Sequence, residues 1–336
     1  MIQFLLDIAR FALQATVILA CALVAIAFIA SLVSKNKSSS EVKITNLNKR
    51  LKKLRHTLQK SLLNKKEYKK LLKSEKNLKD VQPEKSNAFV IKFDGDIKAS
   101  AKDQLREEIT TILMVAKKTD QVVICLESPG GMVHGYGLAA SQLNRIKEKE
   151  IHLVACVDKV AASGGYMMAS VAHKIIAAPF AIIGSIGVVA SLPNFNKILK
   201  KNDVDYLEIT AGEHKRTLTT MGEITDQGMK KFKEQLEDIH TLFKNHITSQ
   251  RPSVDITKVS TGEYWYGTQA KDLNLIDDLG TSDDYLIEVS KTHNVFQVSF
   301  EGKKSLKEKL AESLSLSLES LSLRLWNKLW SKNYEI

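Results

Sequence analysis

The residues best placed to do chemistry are Ser163, Gly164 and Gly165, inside the stretch V-D-K-V-A-A-S-G-G-Y-M-M-A-S-V-A that runs from Val157 to Ala172. The apolar, β-branched run Ile151 to Val157 predicts a strand that stops at a polar turn, and a helix is expected after the serine. A serine at such a turn pushes its hydroxyl out of the sheet beside free backbone N–H groups, as an acyl-transfer nucleophile requires. Taken alone, the same letters fit an N-cap serine followed by flexible glycines. A second loop tips the balance. Gln121 to Glu127 is continuously apolar, the pattern of a strand covered on both faces, and it ends in Ser128-Pro129-Gly130-Gly131 before a helical stretch, Met132 to Lys147. Glycines after a buried parallel strand let a backbone N–H approach a substrate closely enough to serve an oxyanion hole. Two such loops on neighbouring strands would share one crevice at the strand ends.

The ordered set S-P-G-G at 128–131, A-S-G-G-Y at 162–166, G-S-I-G at 184–187 and T-G-E-Y-W-Y-G-T-Q-A…L-I-D-D-L-G at 261–280 resembles the signal peptide peptidase A group. These are serine–lysine peptidases of the S49 family, and the resemblance covers roughly residues 88–290. An apolar N-terminal segment followed by a basic region brings the chain nearest to the SohB-like branch. The resemblance implies an α/β fold with a Clp/crotonase-like stacked β-β-α core. It also implies Ser163 as nucleophile, Lys215 in A-G-E-H-K-R-T as general base and Ser185 as the hydroxyl that positions the lysine amine. Gly130, with Gly131 or Gly164, would supply the oxyanion hole. One departure is visible: Asn274 stands where the last motif has glycine, and asparagine tolerates a left-handed backbone.

A lysine acts as a base only where burial or nearby cations lower its pKa. On residue types alone His214, beside Lys215, is a rival base, and His134 and His173 lie near the two loops in sequence. Asp158 reads as part of a turn. No Cys/His cluster has metal-ligand spacing, so no metal and no cofactor are expected. Cys125 and Cys156 fall on adjacent expected strands, where a disulfide forms only in an oxidising compartment, and Cys21 lies within the apolar N-terminal run.

The 336 residues carry a formal charge of +11, yet this charge is localised. Lys43 to Lys79 holds 14 Lys and Arg against 2 Glu, a local +12 that leaves the rest of the chain near −1. No basic face studded with aromatics is present, so nucleic acid is excluded as a partner. Phe11 to Val33 is a largely apolar run of 23 residues without a charge, long enough for a membrane-spanning helix and longer than a signal-peptide core. Ile44, Leu47, Leu51, Leu54 and Leu58 recur at 3/4 spacing, which predicts an amphipathic or coiled-coil helix over Glu41 to Lys79. Its lysines suit anionic lipid headgroups.

Four regions follow: a membrane anchor (1–34), a Lys-rich helical linker (35–86), a peptidase domain (87–300) and an amphipathic tail (301–336). Within the domain a first strand is expected over Ala88 to Phe93, a helix over Asp103 to Lys118, and a buried centre over Ile175 to Leu192. A helix then follows over Pro193 to Asn202, a strand over Val204 to Thr210 and a long helix over Asp226 to Ile247. In the tail Leu318, Leu321, Leu325 and Leu329 share one helical face near Trp326 and Trp330. It suits packing between subunits, and the resemblance implies a homo-oligomer in which Lys215 completes a neighbour's site.

The expected activity is a membrane-anchored serine endopeptidase acting on unfolded segments or remnant signal peptides through an acyl-enzyme. Its location would be the bacterial inner membrane through residues 11–33, with the basic segment 43–79 against lipid. The dense lysines argue for a cytoplasmic domain, the resemblance for a periplasmic one, and the latter is favoured. A crotonase-like acyl-CoA enzyme and a non-catalytic membrane scaffold are the alternatives.

Overall fold

The structure, a computed structural model, describes residues 41–78 and 85–301 together with Gln14 and Thr16. Apart from those two positions, the expected span over 11–33 and the tail over 306–334 lie outside the described residues. Among the described residues no helix is long and apolar enough to cross a membrane.

In chain order the elements are β1 (Glu41–Asn46), α1 (Leu47–Leu62), α2 (Lys65–Leu78), β2 (Asn87–Asp94), α3 (Lys102–Leu113), β3 (Gln121–Glu127), α4 (Val133–Glu148), β4 (His152–Val157) and β5 (Val160–Ala162). There follow α5 (Gly164–Ala169), β6 (Lys174–Ala177), β7 (Ile182–Gly184), α6 (Asn196–Lys201), α7 (Asp226–Gln250) and α8 (Ile256–Val259). The last are β8 (Tyr264–Tyr266), α9 (Gly267–Asp272), β9 (Asp278–Leu279), α10 (Ser282–Thr292) and β10 (Asn294–Glu301). A seven-stranded sheet has the order β1-β10-β2-β3-β4-β6-β9, and a three-stranded sheet the order β5-β7-β8. From β10 across to β9 all the pairings are parallel. The small sheet joins β5 to β7 in parallel and β7 to β8 antiparallel. Residues Val42–Phe300 form one compact unit.

The uniformly apolar strands are explained by burial on both faces. Ile91, Ile124, Leu153 and Ala155 face the larger core with Leu105, Ile109 and Ile112 of α3 and Tyr136, Ala139 and Leu143 of α4. Val90, Val123, Val154 and Cys156 face a smaller core closed by Leu47 and Val289. The buried centre expected over Ile175 to Leu192 holds only in part: two short strands put Ile175, Ala177, Ile183 and Ile186 in the larger core, while Phe180, Val189 and Leu192 are exposed, since the chain leaves the sheet after β7.

Three expected elements differ. The helix over Glu41 to Lys79 is instead a strand followed by two helices. It breaks at Leu63–Asn64, where the Asn64 side chain accepts the N–H groups of Lys66 and Glu67 while the Glu67 carboxylate accepts the N–H of Asn64, a reciprocal cap. Leu47 is buried while Leu54 and Leu58 are exposed, and Asn48 ties α1 to α10 and β10 through Ser290, His293 and Val295. The helix expected to reach Lys118 ends at Leu113, because Asp120 draws the chain round by accepting the N–H groups of Lys117 and Asn87. Val204 to Thr210 has no regular structure; among the described residues it has no sheet partner, and a lone strand cannot satisfy its backbone.

Candidate active site

Ser163 joins β5 to α5 with φ 50° and ψ −118°. A non-glycine residue there costs on the order of 1–3 kcal/mol and persists only when its surroundings hold it. They do. Its N–H donates to the Gly184 carbonyl at 2.7 Å, and its carbonyl accepts from Met167 N–H at 2.9 Å. The half-buried side chain therefore sits on a rigid strained turn, at the end of a strand and the mouth of a buried helix.

The Ser128 loop is bound to this turn. Ser128 N–H donates to the Val160 carbonyl at 2.8 Å and Ala162 N–H to the Ser128 carbonyl at 3.0 Å, so the end of β3 continues into the small sheet as a bridge between Ser128 and Ala161. Gly130 has φ 89°, and a Cβ there would stand 2.7 Å from Ser163 Cβ and 2.8 Å from Gly164 N. Only a residue with no side chain allows that approach. At Gly164 a Cβ would strike the ring of Tyr136. The N–H of Gly130 donates to Ser128 Oγ at 3.1 Å, while the N–H groups of Gly131 and Gly164 have no acceptor among the described residues.

The G-S-I-G motif lies alongside. Ala162 pairs with Gly184, so Ser163 and Ser185 follow one another off adjacent strands. Ser185 also has a positive φ of 53°, and its N–H donates to the Glu263 carbonyl at 2.7 Å. Four of the expected site residues, Ser163, Ser185, Gly130 and Gly164, are thus gathered at one junction, with Gly131 packed on the Ile97 carbonyl beside it.

Lys215 is not gathered with them. It is exposed, on an arm over residues 188–225 whose one helix is α6. Its backbone N–H donates to the Gly212 carbonyl at 3.2 Å, and among the described residues no hydrogen bond or ion pair joins it to Ser163 or Ser185. The arm is held largely to itself, by Asn194 to the Thr219 and Gly222 carbonyls and by Arg216 with Glu208 at 3.2 Å, and to α7 by the long contacts of Thr217 with Gln235 at 3.5 Å and Glu213 with Gln227 at 3.4 Å. Its apolar side chains face outward: Val189 is 88% exposed, Leu207 81% and Ile209 85%.

The rival bases go elsewhere. His173 stacks on His152 and accepts the Leu153 N–H through Nδ1 at 3.0 Å, at the end of β4 opposite the Ser128 loop; burial holds both imidazoles below their ordinary pKa. His134 is exposed on α4, and His214 is exposed on the arm, lining a hollow of about 470 Å³ with Tyr206, Thr217 and Lys231. Asp158 accepts both the N–H and the hydroxyl of Ser282 and so fixes the start of α10. Cys125 and Cys156 are register partners on β3 and β4, both free thiols, and burial pushes the Cys125 thiol up to about 11. Asn274 has φ 59°, the left-handed conformation its position requires, and Arg251 pins the following turn by a two-pronged bond to Asp277 at 2.8 and 2.9 Å. Among the described residues no group of three or more His, Cys, Asp or Glu could hold a metal ion. Tyr136, absent from the expected site, is the residue that sequence reasoning missed; only its place four residues into the helix after the Gly130 loop could have drawn notice.

Known proteins resemble this sequence. The N-terminal model of peptidase family S49 matches residues 3–143, and the peptidase family S49 model matches residues 145–296. The "Probable protease SohB" of Haemophilus influenzae is 54% identical over 238 residues, covering 71% of this chain and 67% of that protein. The protein of the same name from Buchnera aphidicola subsp. Acyrthosiphon pisum is 50% identical over 250 residues, 74% of each chain. Among solved structures, the "1510-N membrane-bound stomatin-specific protease" with a substrate peptide overlays at a TM-score of 0.43 and 17% identity, covering 69% of this chain and 99% of that one.

Proposed function

We propose a mechanism from one premise: the chain belongs to peptidase family S49 and is a peptidase. Ser163 is the nucleophile of a serine endopeptidase of the Clp/crotonase class. A lysine amine, that of Lys215, takes the Ser163 proton as Oγ bonds to the scissile carbonyl carbon. Backbone N–H groups of Gly130, Gly131 or Gly164 hold the oxyanion. The C–N bond breaks, the lysine returns the proton to the leaving amine, and water releases the acyl group by the same steps. Ser185 holds the lysine amine in place.

The observation that carries this reading is the turn itself, a strained serine with Gly130 pressed against its Cβ and a second serine beside it. The exposed, apolar-faced arm favours a homo-oligomer in which Lys215 enters the crevice of a neighbouring copy. Outward-facing Leu207 and Ile209 are the surface such an assembly would cover. Substrates are unfolded segments or remnant signal peptides that enter as extended chain. Residues 11–33 anchor the protein in the inner membrane with the catalytic unit on the periplasmic side. The basic α1 and α2, with exposed Leu54 and Leu58, rest against anionic headgroups.

Subunit mixing tests the dyad and its sharing together. Ser163→Ala and Lys215→Met should each lose at least about 10³-fold in kcat while remaining folded. Co-assembled, the two inactive chains should regain up to roughly a quarter of the wild-type sites if serine and lysine come from different copies. Full activity in either single variant would overturn the dyad. No recovery on mixing would place the lysine in its own chain.

A further inference from the structure

Tyr136 lies beneath both loops, fully buried, with its ring against Gly164 and its hydroxyl against Ser128. The hydroxyl donates to the Asp96 carbonyl at 2.7 Å. A phenol has one hydrogen, so at the 2.5 Å contact with Ser128 it must accept, and Ser128 Oγ must donate. Ser128 Oγ then has lone pairs left, and one accepts the Gly130 N–H at 3.1 Å. The chain of donors runs one way, Gly130 to Ser128 to Tyr136 to Asp96. Ser128 is as buried as Tyr136, and burial raises the Tyr136 pKa, so the phenol stays protonated and the direction is kept.

We infer that Ser128 and Tyr136 are positioning residues that build the oxyanion hole from the N–H groups of Gly131 and Gly164, with the Gly130 N–H held away from substrate. This rests on the reading of Ser163 as nucleophile, and what it adds is the buried support beneath the two donors rather than the donors themselves. Three observations converge. The Gly130 N–H is already spent on Ser128, whereas those of Gly131 and Gly164 have no acceptor. One side chain, Tyr136, reaches both loops: its ring lies against Gly164, and its hydroxyl, through Ser128, fixes the Pro129–Gly130 peptide, the one just before the peptide that carries the Gly131 N–H. A donor counts in catalysis only when it is already aimed at the charge that develops, and two loops from different strands need a shared support to keep that aim.

The test uses the full-length protein in detergent, a fluorogenic peptide, a peptide aldehyde and a fluorophosphonate probe. Tyr136→Phe removes one oxygen and keeps the ring under Gly164. Its kcat should fall about 10- to 100-fold, less than the loss of a donor outright, with KM unchanged within twofold. Affinity for the aldehyde, whose adduct places an oxyanion in the hole, should fall by the same factor. Ser128→Ala should behave alike, and the double variant should be no worse than the stronger single, since both break one chain. Ser128→Ala carries the test if Tyr136→Phe melts below the assay temperature. Unchanged kcat and aldehyde affinity with only a lower melting temperature would overturn the inference and leave the pair as packing. Wild-type protein that takes no probe on Ser163 would instead overturn the proposed function, a separable result.

Discussion

The Ser163 turn and the arm bearing Lys215 are held in opposite ways. Around the turn, Ser128, Gly130, Tyr136, Gly164 and Gly184 interlock through buried hydrogen bonds and approaches that no Cβ would allow. The arm has a single one-and-a-half-turn helix, polar bonds to itself and apolar side chains in water. A nucleophile must be exact in place, and a single chain can enforce that with its own core. The proposed base stands on an exposed arm that this core does not fix. The contrast teaches that the serine half of the candidate site is complete within one chain, whereas the proposed base, Lys215, is not held against it there.

The sharpest way to break the comparison is at the rigid half. Gly130→Ala puts a Cβ 2.7 Å from Ser163 Cβ and does so at φ 89°, so the turn must shift or the loop must withdraw. Probe labelling of Ser163 and kcat should both fall by about 10³-fold, the scale of a misplaced oxyanion loop. Near-wild-type labelling would mean that the interlock is dispensable. At the other half, Leu207→Glu with Ile209→Glu should leave thermal unfolding of the core within about 0.5 kcal/mol, the usual range for exposed positions. The same variant should lower the oligomer mass in sedimentation and reduce kcat by about tenfold or more. An intact oligomer with full activity would free the arm of any role in assembly.

The smallest effect tests whether the rigid core can change without moving the site. Glu108 is 6% exposed and accepts the Phe300 N–H at 2.8 Å; burial pushes its carboxyl from 4.5 up to about 7. Between those values the unfolded chain has released a proton that the folded one still holds. Stability therefore falls as pH rises through that window and levels off above it. Glu108→Gln should remove the dependence, raising the melting temperature by a few degrees at pH 8 relative to wild type and by less at pH 5. Peptidase activity should be unchanged. A variant with the wild-type pH profile would show that Glu108 is ionised throughout.

Much of the fold was legible because short-range chemistry wrote it. The run Gln121 to Glu127 became β3 residue for residue, and Asn274 adopts the left-handed turn expected of it. The break between α1 and α2 was also written, as Asn64 and Glu67 at capping-box spacing, but the leucine periodicity on either side masked it. The strand expected over Val204 to Thr210 failed for a different reason. Alternation signals a half-buried strand only when a partner exists, and Tyr206, Leu207 and Ile209 face solvent. Within the site, Ser163 and the glycines were legible from type and spacing. Tyr136 was not, since a buried tyrosine on a helix face looks like any core residue.

The sequence by itself determined which strands are buried, which turns need glycine or asparagine, and that a serine stands at a strand-to-helix turn, because each depends on a few neighbouring residues. That the Ser128 loop meets the Ser163 turn was decided by the Ser128–Ala161 bridge, and that Tyr136 underpins both by the packing of α4 on the sheet. Lys215 standing apart was likewise a tertiary outcome. Pairing register and helix docking are chosen by the lowest free energy of the whole packed unit, a sum over distant contacts that no local window contains.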